Sequence, residues 1–373
     1  MTDATTSTPT PEGSGPAPAV VDDPVQLTPA WFDAVLGRPG GPALLSATTE
    51  PVGTGQMAST VRARLSLDDG GEHTVVVKFG RPDVESSLAA MAYTKEVAFY
   101  RELGERVAAR TPRCLYAAQD EGSTRFVLVL EDMADAVQGD QIAGCPVAHA
   151  EAAVVNLAGL HGPTWCDDDL AQSSWLGSDG VITGDFMVPV IEMAADGFAE
   201  RFAAELDPNE AEVLAASRQL LDHWMFERGD RFAVVHGDYR LDNLLFPVDD
   251  PAGVSAVDWQ TAALGPPGRD LAYFLSTCLA VDDRRANERD LVATYHRALG
   301  DHGVTDYGAD ECWSDYVDGM LHGPLIILLG RLTAGVTERG DEMFRVMWRR
   351  SSAAIDDLGT LATVRARLGP PAG

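Results

Sequence analysis

Apolar and polar side chains alternate along residues 60–67, and this period of two predicts a half-buried β-strand. The sequence Asp-Asp-Gly-Gly at residues 68–71 predicts a turn, and the apolar residues 73–79 predict a second strand that returns along the first. A long helical stretch follows over roughly residues 84–109, and residues 125–133 read as another apolar strand. The first part of the chain is therefore predicted to be rich in β-structure.

The pattern changes to that of helices after Met133. Residues 146–161 are rich in Ala and periodic, and residues 208–228 begin with Asp207 as the N-cap followed directly by proline, a typical helix start. Short strands are predicted around residues 233–258, and the remainder is mainly helical. The fold class that follows is α+β, with a small β-rich part ahead of a larger helical part.

The amino-terminal residues 1–24 are mainly Thr, Pro, Gly, Ser and Ala, with little to bury. Such a composition predicts a disordered tail. We therefore expect the β-rich part to cover residues 25–133 and the helical part residues 134–373.

The amino-acid composition limits the classes of partner that the protein is expected to bind. Hydrophobic residues make up 45% of the 373 residues, which is enough for a sizeable core, and the formal net charge is −29. A surface this anionic repels phosphate backbones and acidic membrane surfaces, so nucleic acid and membranes are not expected partners. A cationic or neutral small molecule is the easier partner, and binding a nucleotide requires locally placed positive groups.

The cysteines and the apolar runs of the sequence exclude further classes of protein. The five cysteines are widely spaced without a CxxC pair, which predicts neither a disulfide framework nor a zinc site. No apolar run reaches the ~18 residues of a membrane span, and the amino terminus lacks the features of a signal peptide. The expected location is the cytoplasm, and the sequence predicts no oligomeric state.

The candidate chemistry lies in residues 234–246, which read Val-Val-His-Gly-Asp-Tyr-Arg-Leu-Asp-Asn-Leu-Leu-Phe. An apolar strand end precedes Asp238, Asn243 follows five residues later, and a further strand ends at Asp258. One carboxylate can orient or deprotonate a hydroxyl group, while an Asn oxygen and a second carboxylate can hold Mg²⁺. For each residue alone, the alternative is a turn in which Asp or Asn bonds its own backbone. The whole pattern favours the catalytic interpretation.

The segment from His236 to Asn243, together with Asp258, resembles the catalytic and metal-binding loops of the aminoglycoside phosphotransferase family. That family consists of small-molecule kinases with a protein-kinase-like fold of two lobes. The resemblance implies that residues 25–133 form a small β-rich N-lobe that grips the nucleotide phosphates. Residues 134–373 would then form a larger, mainly helical C-lobe with the catalytic loop, the metal site and the acceptor pocket.

The resemblance extends from about residue 47 onward and is sharp at these motifs. It implies that Asp238 is the catalytic base, that Asn243 and Asp258 hold Mg²⁺, and that ATP or GTP is the phosphoryl donor. Arg240 matches a position at which protein kinases hold a cationic residue against the γ-phosphate, and we include it among the candidate catalytic residues.

Lys78 and Glu96 support the same interpretation from the N-lobe. Lys78 is one of only two lysines and lies in an apolar predicted strand, and Glu96 lies on the apolar stripe of the helix that follows. Each side chain is costly to bury unless it is paired, so we expect the two to form an ion pair. Kinases use such a pair to hold the lysine on the α- and β-phosphates. The alternatives are a purely structural ion pair, or a glutamate that reaches solvent.

Residues 51–59 join two predicted strands and resemble a glycine-rich phosphate loop. Gly53 and Gly55 match its first two glycines, whereas Ala58 stands at the position of the third. Backbone N–H groups of this loop, with the Ser59 hydroxyl, are expected to cover the nucleotide phosphates. A plain hairpin turn is the alternative.

Four further residues have both a functional and a local interpretation. Glu131 and Met133 lie where kinase-like folds pass between lobes, and their backbone groups are expected to bind adenine. The alternative is an ordinary strand followed by a helix. Arg240 can contact the γ-phosphate or form an ion pair with Asp242. Asp270 matches a family position that braces the catalytic loop, and an N-cap is the alternative.

The function we predict is an ATP-dependent phosphotransferase acting on the hydroxyl group of a small molecule, such as an aminoglycoside, a sugar or another alcohol. A catalytically silent nucleotide-binding module is the alternative. A protein kinase is disfavoured because Asp270 follows Asp258 after only twelve residues, which leaves no room for a long activation segment. The sequence does not identify the acceptor.

Overall fold

The structure is a computed structural model that describes residues 19–37, 41–53, 58–81, 86–177, 183–227, 230–333 and 335–368. Two lobes make up the fold, one built on an antiparallel sheet and the other mainly helical. The predicted α+β class with a kinase-like division into two lobes is confirmed.

The N-lobe consists of a five-stranded sheet with one helix on each face. Its elements are α1 (Pro29–Leu36), β1 (Leu44–Pro51), β2 (Ala58–Leu67), β3 (Glu72–Gly80), α2 (Ser87–Ala98), β4 (Cys114–Gln119) and β5 (Phe126–Glu131). The strand order is β1-β2-β3-β5-β4, and every neighbouring pair is antiparallel. A π-helical turn, Phe99–Leu103, continues directly from α2.

The alternation predicted for β2 is confirmed by burial, because Val61, Ala63, Leu65 and Leu67 are buried whereas Arg64 is exposed. These apolar side chains form a small core under α1 with Phe32 and Val35. The opposite face of the sheet packs against α2 and joins the large core of the C-lobe.

The predicted boundary of the tail differs from the structure. Within residues 19–24, Val20 and Val21 are buried in the core under α1. The Arg125 guanidinium donates to the backbone oxygen of Val20 at 2.9 Å and to Asp22 at 3.1 Å. A short Val-Val pair in a sequence of low complexity gives no periodic signal, so the composition concealed this contact.

Within the described ranges, the C-lobe contains ten α-helices and five short strands. These are β6 (Ala136–Gln138), α3 (Val147–His161), α4 (Asp168–Ala171), α5 (Gly184–Phe202), α6 (Pro208–Trp224), β7 (Ala233–Val235), β8 (Leu244–Pro247), β9 (Ser255–Ala256), β10 (Ala263–Gly265), α7 (Gly268–Cys278), α8 (Val281–Asp301), α9 (Ala309–Asp318), α10 (His322–Thr333), α11 (Glu338–Asp357) and α12 (Thr360–Leu368). The strand β7 pairs with β10, and β8 pairs with both β6 and β9. Along the parts of the chain that the structure describes, no helix is long and apolar enough to cross a membrane.

Candidate active site

Short strands bring the motif residues together. Asp238 follows the end of β7, Asn243 directly precedes β8, and Asp258 follows the end of β9. Because β8 and β9 are paired, the N–H group of Val257 donates to the backbone oxygen of Asn243 at 3.0 Å. Asn243 and Asp258 therefore stand side by side at the same end of this hairpin.

Asp238 and Asn243 are joined by two hydrogen bonds. The side-chain amide of Asn243 donates through Nδ2 to the backbone oxygen of Asp238 at 2.9 Å and to its Oδ2 at 3.0 Å. With Nδ2 committed to Asp238, the Oδ1 atom of Asn243 is the part of the amide that can serve as a metal ligand.

Lys78 lies between two carboxylates. Its Nζ atom is 2.8 Å from Oε1 of Glu96 and 3.0 Å from Oδ1 of Asp258. Burial lowers the pKa of Lys78, but attraction by Asp258 and Glu96 outweighs it and raises that pKa above its ordinary value. The ammonium group is therefore charged at neutral pH and links the N-lobe sheet to the metal-ligand candidate.

The exposure of these groups is uneven. The side chains of Lys78 and Glu96 are 14% and 2% exposed, whereas that of Asp258 is 40% exposed. Burial alone would raise the pKa of Asp258, but the nearby Lys78 ammonium lowers it below its ordinary value. Asp258 is thus an ionised carboxylate with an open side, which is what a ligand for a bound cation requires.

Asp258 adopts a left-handed backbone conformation, with φ of 69° and ψ of 70°. The next residue, Trp259, is buried and stacks on Phe99 with ring centroids 3.6 Å apart and planes 8° apart. Lys95 of α2 also donates to the backbone oxygen of Ala262 at 2.9 Å. These contacts tie the segment after Asp258 to α2, the helix that carries Glu96.

Arg240 lies close to Asp238. Its Nε atom donates to Oδ2 of Asp238 at 3.1 Å, while the nearest approach of its guanidinium to Asp242 is 3.9 Å. Burial lowers the pKa of Arg240, but the negative charge of Asp238 raises it by a larger amount, so this pKa lies above its ordinary value. An ion pair with Asp242 was the predicted alternative for Arg240, but in the structure its guanidinium pairs mainly with Asp238. A γ-phosphate contact for Arg240 stays a prediction.

The structure describes two of the three residues predicted for the phosphate loop. Gly53 ends the β1 region with φ of 72°, a left-handed conformation that suits glycine, and Gly55 lies outside the described residues. Ser59 is half-buried in β2 opposite Phe79, the neighbour of Lys78. Phosphate binding by this loop stays a prediction.

The two backbone positions predicted for adenine make contacts within the protein. The N–H group of Glu131 donates to the backbone oxygen of Arg113, and the backbone oxygen of Met133 accepts from Ala136, both at 2.9 Å. An adenine contact at Glu131 would therefore use its carbonyl group rather than its N–H group.

Asp270 is a brace and not an N-cap, because α7 begins before it. Its carboxylate accepts from the backbone N–H groups of His236 at 2.6 Å and Gly237 at 3.0 Å, and it lies 3.4 Å from His161 Nε2. Burial would raise the pKa of Asp270, but the hydrogen bond from His161 lowers it below its ordinary value. An ionised, buried carboxylate thus holds the chain just before Asp238.

Sequence reasoning missed two residues of the site. The Tyr273 hydroxyl donates to Oδ1 of Asp238 at 2.9 Å, and Nε2 of His322 lies 2.9 Å from the backbone oxygen of Gly237. A tyrosine one helical turn after Asp270 was a possible signal for the first contact. No local pattern marks the second.

Comparison with protein families identifies a kinase-like chain. A sequence model of the ecdysteroid kinase-like family matches residues 57–304, about two thirds of the chain. The predicted resemblance to small-molecule kinases is confirmed.

A relative among the curated proteins matches only a short stretch. Acyl-CoA dehydrogenase family member 10 of Mus musculus is 43% identical over 53 residues, which are 14% of this chain and 5% of that protein. The chain therefore spans a small fraction of the length of this relative.

A solved kinase structure shares the fold at low sequence identity. The choline kinase of Cryptosporidium parvum superposes with a TM-score of 0.52 at 11% identity, covering 84% of this chain and 91% of that one. Aminoglycoside 2'-phosphotransferase-IIIa, solved with GDP, gives a TM-score of 0.49 at 15% identity and covers 87% of this chain and 99% of that one.

Proposed function

The chain belongs to the ecdysteroid kinase-like family, and we propose that it transfers a phosphoryl group from ATP to a hydroxyl group of a small molecule. One observation carries the proposal. Lys78 forms ion pairs with both Glu96 and Asp258. Across the β8–β9 hairpin from Asp258, Asn243 donates a hydrogen bond to Asp238. In this proposal Lys78 grips the phosphates, Asp258 and Asn243 hold the cation, and Asp238 faces the acceptor. These are the groups that phosphoryl transfer requires.

The donor set fits Mg²⁺ bound together with a nucleotide. In the described ranges no three His, Cys, Asp or Glu side chains cluster as a self-sufficient metal site. Mg²⁺ commonly takes one or two carboxylates and completes its shell with phosphate oxygens and water. Asp258 and Asn243 Oδ1 match this partial set. The cation, when bound, neutralises charge on the phosphate oxygens.

The protein's own side chains have separate tasks in this proposal. Lys78 binds phosphate oxygens, and Glu96 orients Lys78. Asp238 accepts a hydrogen bond from the acceptor hydroxyl and takes its proton as the acceptor oxygen bonds to the γ-phosphorus, while the bond from that phosphorus to the bridging oxygen breaks and ADP leaves. Arg240, already charged and next to Asp238, supplies positive potential at the transferred group. Catalysis of this kind rests on positioning and charge, so local cations suffice in a chain of net charge −29.

The catalytically silent module remains the second candidate, and Asp238 argues against it. A module that only binds a nucleotide has no use for a carboxylate on the acceptor side. Here Asp238 accepts three side-chain hydrogen bonds, from Tyr273, Arg240 and Asn243. So many donors fix the direction of a carboxylate that would otherwise rotate, and a fixed direction is what a group that positions an acceptor hydroxyl requires.

A screen of acceptors tests the proposal. ATP consumption and product mass are measured with Mg²⁺ and a panel of hydroxyl compounds that includes sterols, amino alcohols, sugars and aminoglycosides. We expect product with at least one acceptor from the wild type and none from Asp238→Asn assayed in parallel. Mg²⁺-dependent ATP binding with no product across the panel would favour the silent module, and absence of ATP binding would reject both.

Replacement of Lys78 should weaken nucleotide binding more than replacement of Glu96. Lys78→Ala removes charge-assisted bonds to phosphate, each worth ~1.5–3 kcal/mol, so the Kd for ATP should rise about 10- to 100-fold. Glu96→Gln keeps the shape and only loosens the lysine, so a rise of about threefold is expected. Isothermal calorimetry with Mg²⁺ and ATP measures both values.

Arg64→Ala is the control for these variants, because Arg64 lies on the same sheet and pairs with Glu72 at 3.5 Å on the surface. Its Kd for ATP should match that of the wild type. If Lys78→Ala bound ATP as tightly as Arg64→Ala, the N-lobe half of the proposal would be wrong.

A further inference from the structure

Tyr273 extends from α7 to the carboxylate of Asp238. Its ring is fully buried, and its hydroxyl donates to Oδ1 at 2.9 Å. Burial, reinforced by the charge of Asp238, raises the pKa of Tyr273 well above its ordinary value. The hydroxyl group therefore keeps its proton and donates to Asp238 at any pH at which a kinase works.

The two oxygens of Asp238 have different partners. Oδ1 is bound by Tyr273, whereas Oδ2 accepts from both Arg240 and Asn243. Because the partners approach from both sides, the plane of the carboxylate cannot rotate while all three bonds are present. Tyr273 is the only one of the three donors that lies outside the His236–Asn243 loop.

His322, the first residue of α10, holds the peptide group just before Asp238. Its Nε2 atom lies 2.9 Å from the backbone oxygen of Gly237, and its side chain is buried. Burial lowers the pKa of His322, so the ring is neutral and Nε2 carries the proton that Gly237 accepts. Its Nδ1 atom is buried and has no hydrogen-bond partner within the described ranges. The Gly237 bond therefore sets the tautomer.

The backbone at Gly237 has little freedom. Its φ is 79°, and a Cβ atom there would lie 2.8 Å from the backbone oxygen of Thr261. The N–H group of Gly237 is bound by Asp270 at 3.0 Å, and its carbonyl is bound by His322. The rings of Tyr273 and His322 also touch edge to face, with centroids 5.4 Å apart. Two helices thus hold one short turn through a connected pair of side chains.

We propose that Tyr273 and His322 are positioning residues, which together fix the carboxylate of Asp238 and the turn before it in the orientation needed for phosphoryl transfer. This inference rests on the proposed kinase function. Neither residue contacts the nucleotide grip formed by Lys78, Glu96 and Asp258. Their loss should therefore lower the rate of transfer and leave nucleotide affinity unchanged.

Tyr273→Phe tests the first half, with Mg²⁺ and ATP as the probe and water as the phosphoryl acceptor. We expect kcat for phosphate release to fall about tenfold, the loss expected for one hydrogen bond to a charged group, while the Kd for ATP stays within about twofold. Tyr316→Phe is the matched control, because the Tyr316 hydroxyl is also buried and bonds a carboxylate, Glu288, at 3.0 Å. It should lose thermal stability without losing kcat.

Two substitutions at His322 distinguish a role in positioning Gly237 from a role in packing alone. His322→Gln retains an N–H donor near the place of Nε2, whereas His322→Leu keeps the volume and removes the donor. We expect His322→Leu to lower kcat about tenfold and His322→Gln to recover most of that loss, with equal Kd for ATP in both variants.

The outcomes distinguish this inference from the proposed function. Normal kcat in Tyr273→Phe, equal loss in Tyr273→Phe and Tyr316→Phe, or equal kcat in both His322 variants would overturn the positioning roles while leaving the kinase intact. A wild type that neither binds nor hydrolyses ATP would overturn the proposed function, and this inference with it.

Discussion

Asp258→Asn is expected to abolish Mg²⁺-dependent ATP binding. Asp258 supplies the only carboxylate of the proposed metal site, and Asn243 contributes a neutral amide oxygen, so no second charged ligand compensates for its loss. Mutation of a residue that merely supports a metal ligand costs ~10–100-fold in affinity, and removal of the charged ligand itself should reach at least about 100-fold. Turnover should disappear with binding.

Asparagine is the preferred substitution because the backbone of Asp258 is left-handed, with φ of 69°. Asn tolerates that conformation, whereas Ala there is strained by ~1–2 kcal/mol. Asp258→Ala should abolish binding as well, with an added loss of stability. Calorimetric titration of ATP at several Mg²⁺ concentrations measures the effect, and circular dichroism reports the fold.

Asp357→Asn is the control for lost charge. Asp357 accepts from Arg285 at 2.8 Å, and it lies on α11 fourteen residues beyond Met343, the residue that contacts Arg240. Along a helix that separation corresponds to about 21 Å. Its ATP binding should equal that of the wild type. Unaltered Mg²⁺ dependence in Asp258→Asn would remove this residue from the metal site.

The sequence predicts contacts well when a local pattern reports burial. Glu96 lies on the apolar stripe of α2, and a lysine in an apolar strand required a partner, so their pairing followed from burial cost alone. The two residues are only 18 positions apart, because Lys78 lies near the end of β3 and Glu96 lies in α2, the next element along the chain. The alternation in β2 is similar, since the period of two directly reports which side chains face the core.

Contacts between distant segments leave no such signal. The Lys78–Asp258 pair joins residues 180 positions apart, and the His322–Gly237 bond joins residues 85 positions apart. The sequence around His322 predicts an ordinary core histidine, and the side chain is indeed buried. The packing of α10 against the turn at Gly237 gives this histidine its hydrogen-bond partner in the site. The predicted long helix shows the same limit, because it becomes π-helical at Phe99, where the ring stacks on Trp259 from the other lobe.

Asp238→Asn is expected to remove phosphoryl transfer and spare nucleotide affinity. Asp238 does not contact Lys78 or Asp258, and an amide oxygen at residue 238 can still accept the hydrogen bond from Asn243, so nucleotide binding should not require the charge of Asp238. Loss of a positioned acid–base group typically costs ~10²–10⁴-fold in rate, and we expect kcat to fall within that range.

The substitution should also preserve the local fold. The new Oδ1 can accept from Arg240 and Asn243, while the new Nδ2 donates to the Tyr273 hydroxyl, which can act as an acceptor. Every hydrogen bond around residue 238 therefore has a possible counterpart in the variant. A loss of rate would then report the missing charge and basicity rather than a collapsed turn.

Asp315→Asn provides a matched control, because Asp315 also accepts from a tyrosine hydroxyl, Tyr307 at 2.9 Å, and from an arginine Nε, Arg231 at 3.2 Å. The paired measurement is the Kd for ATP with Mg²⁺ by calorimetry, and the rate of product formation with an acceptor found in the screen. Retained affinity with lost transfer in Asp238→Asn, and normal values of both in Asp315→Asn, is the expected result. Lost affinity would make Asp238 a metal or structural residue, and unchanged transfer would show that the reaction does not use its carboxylate.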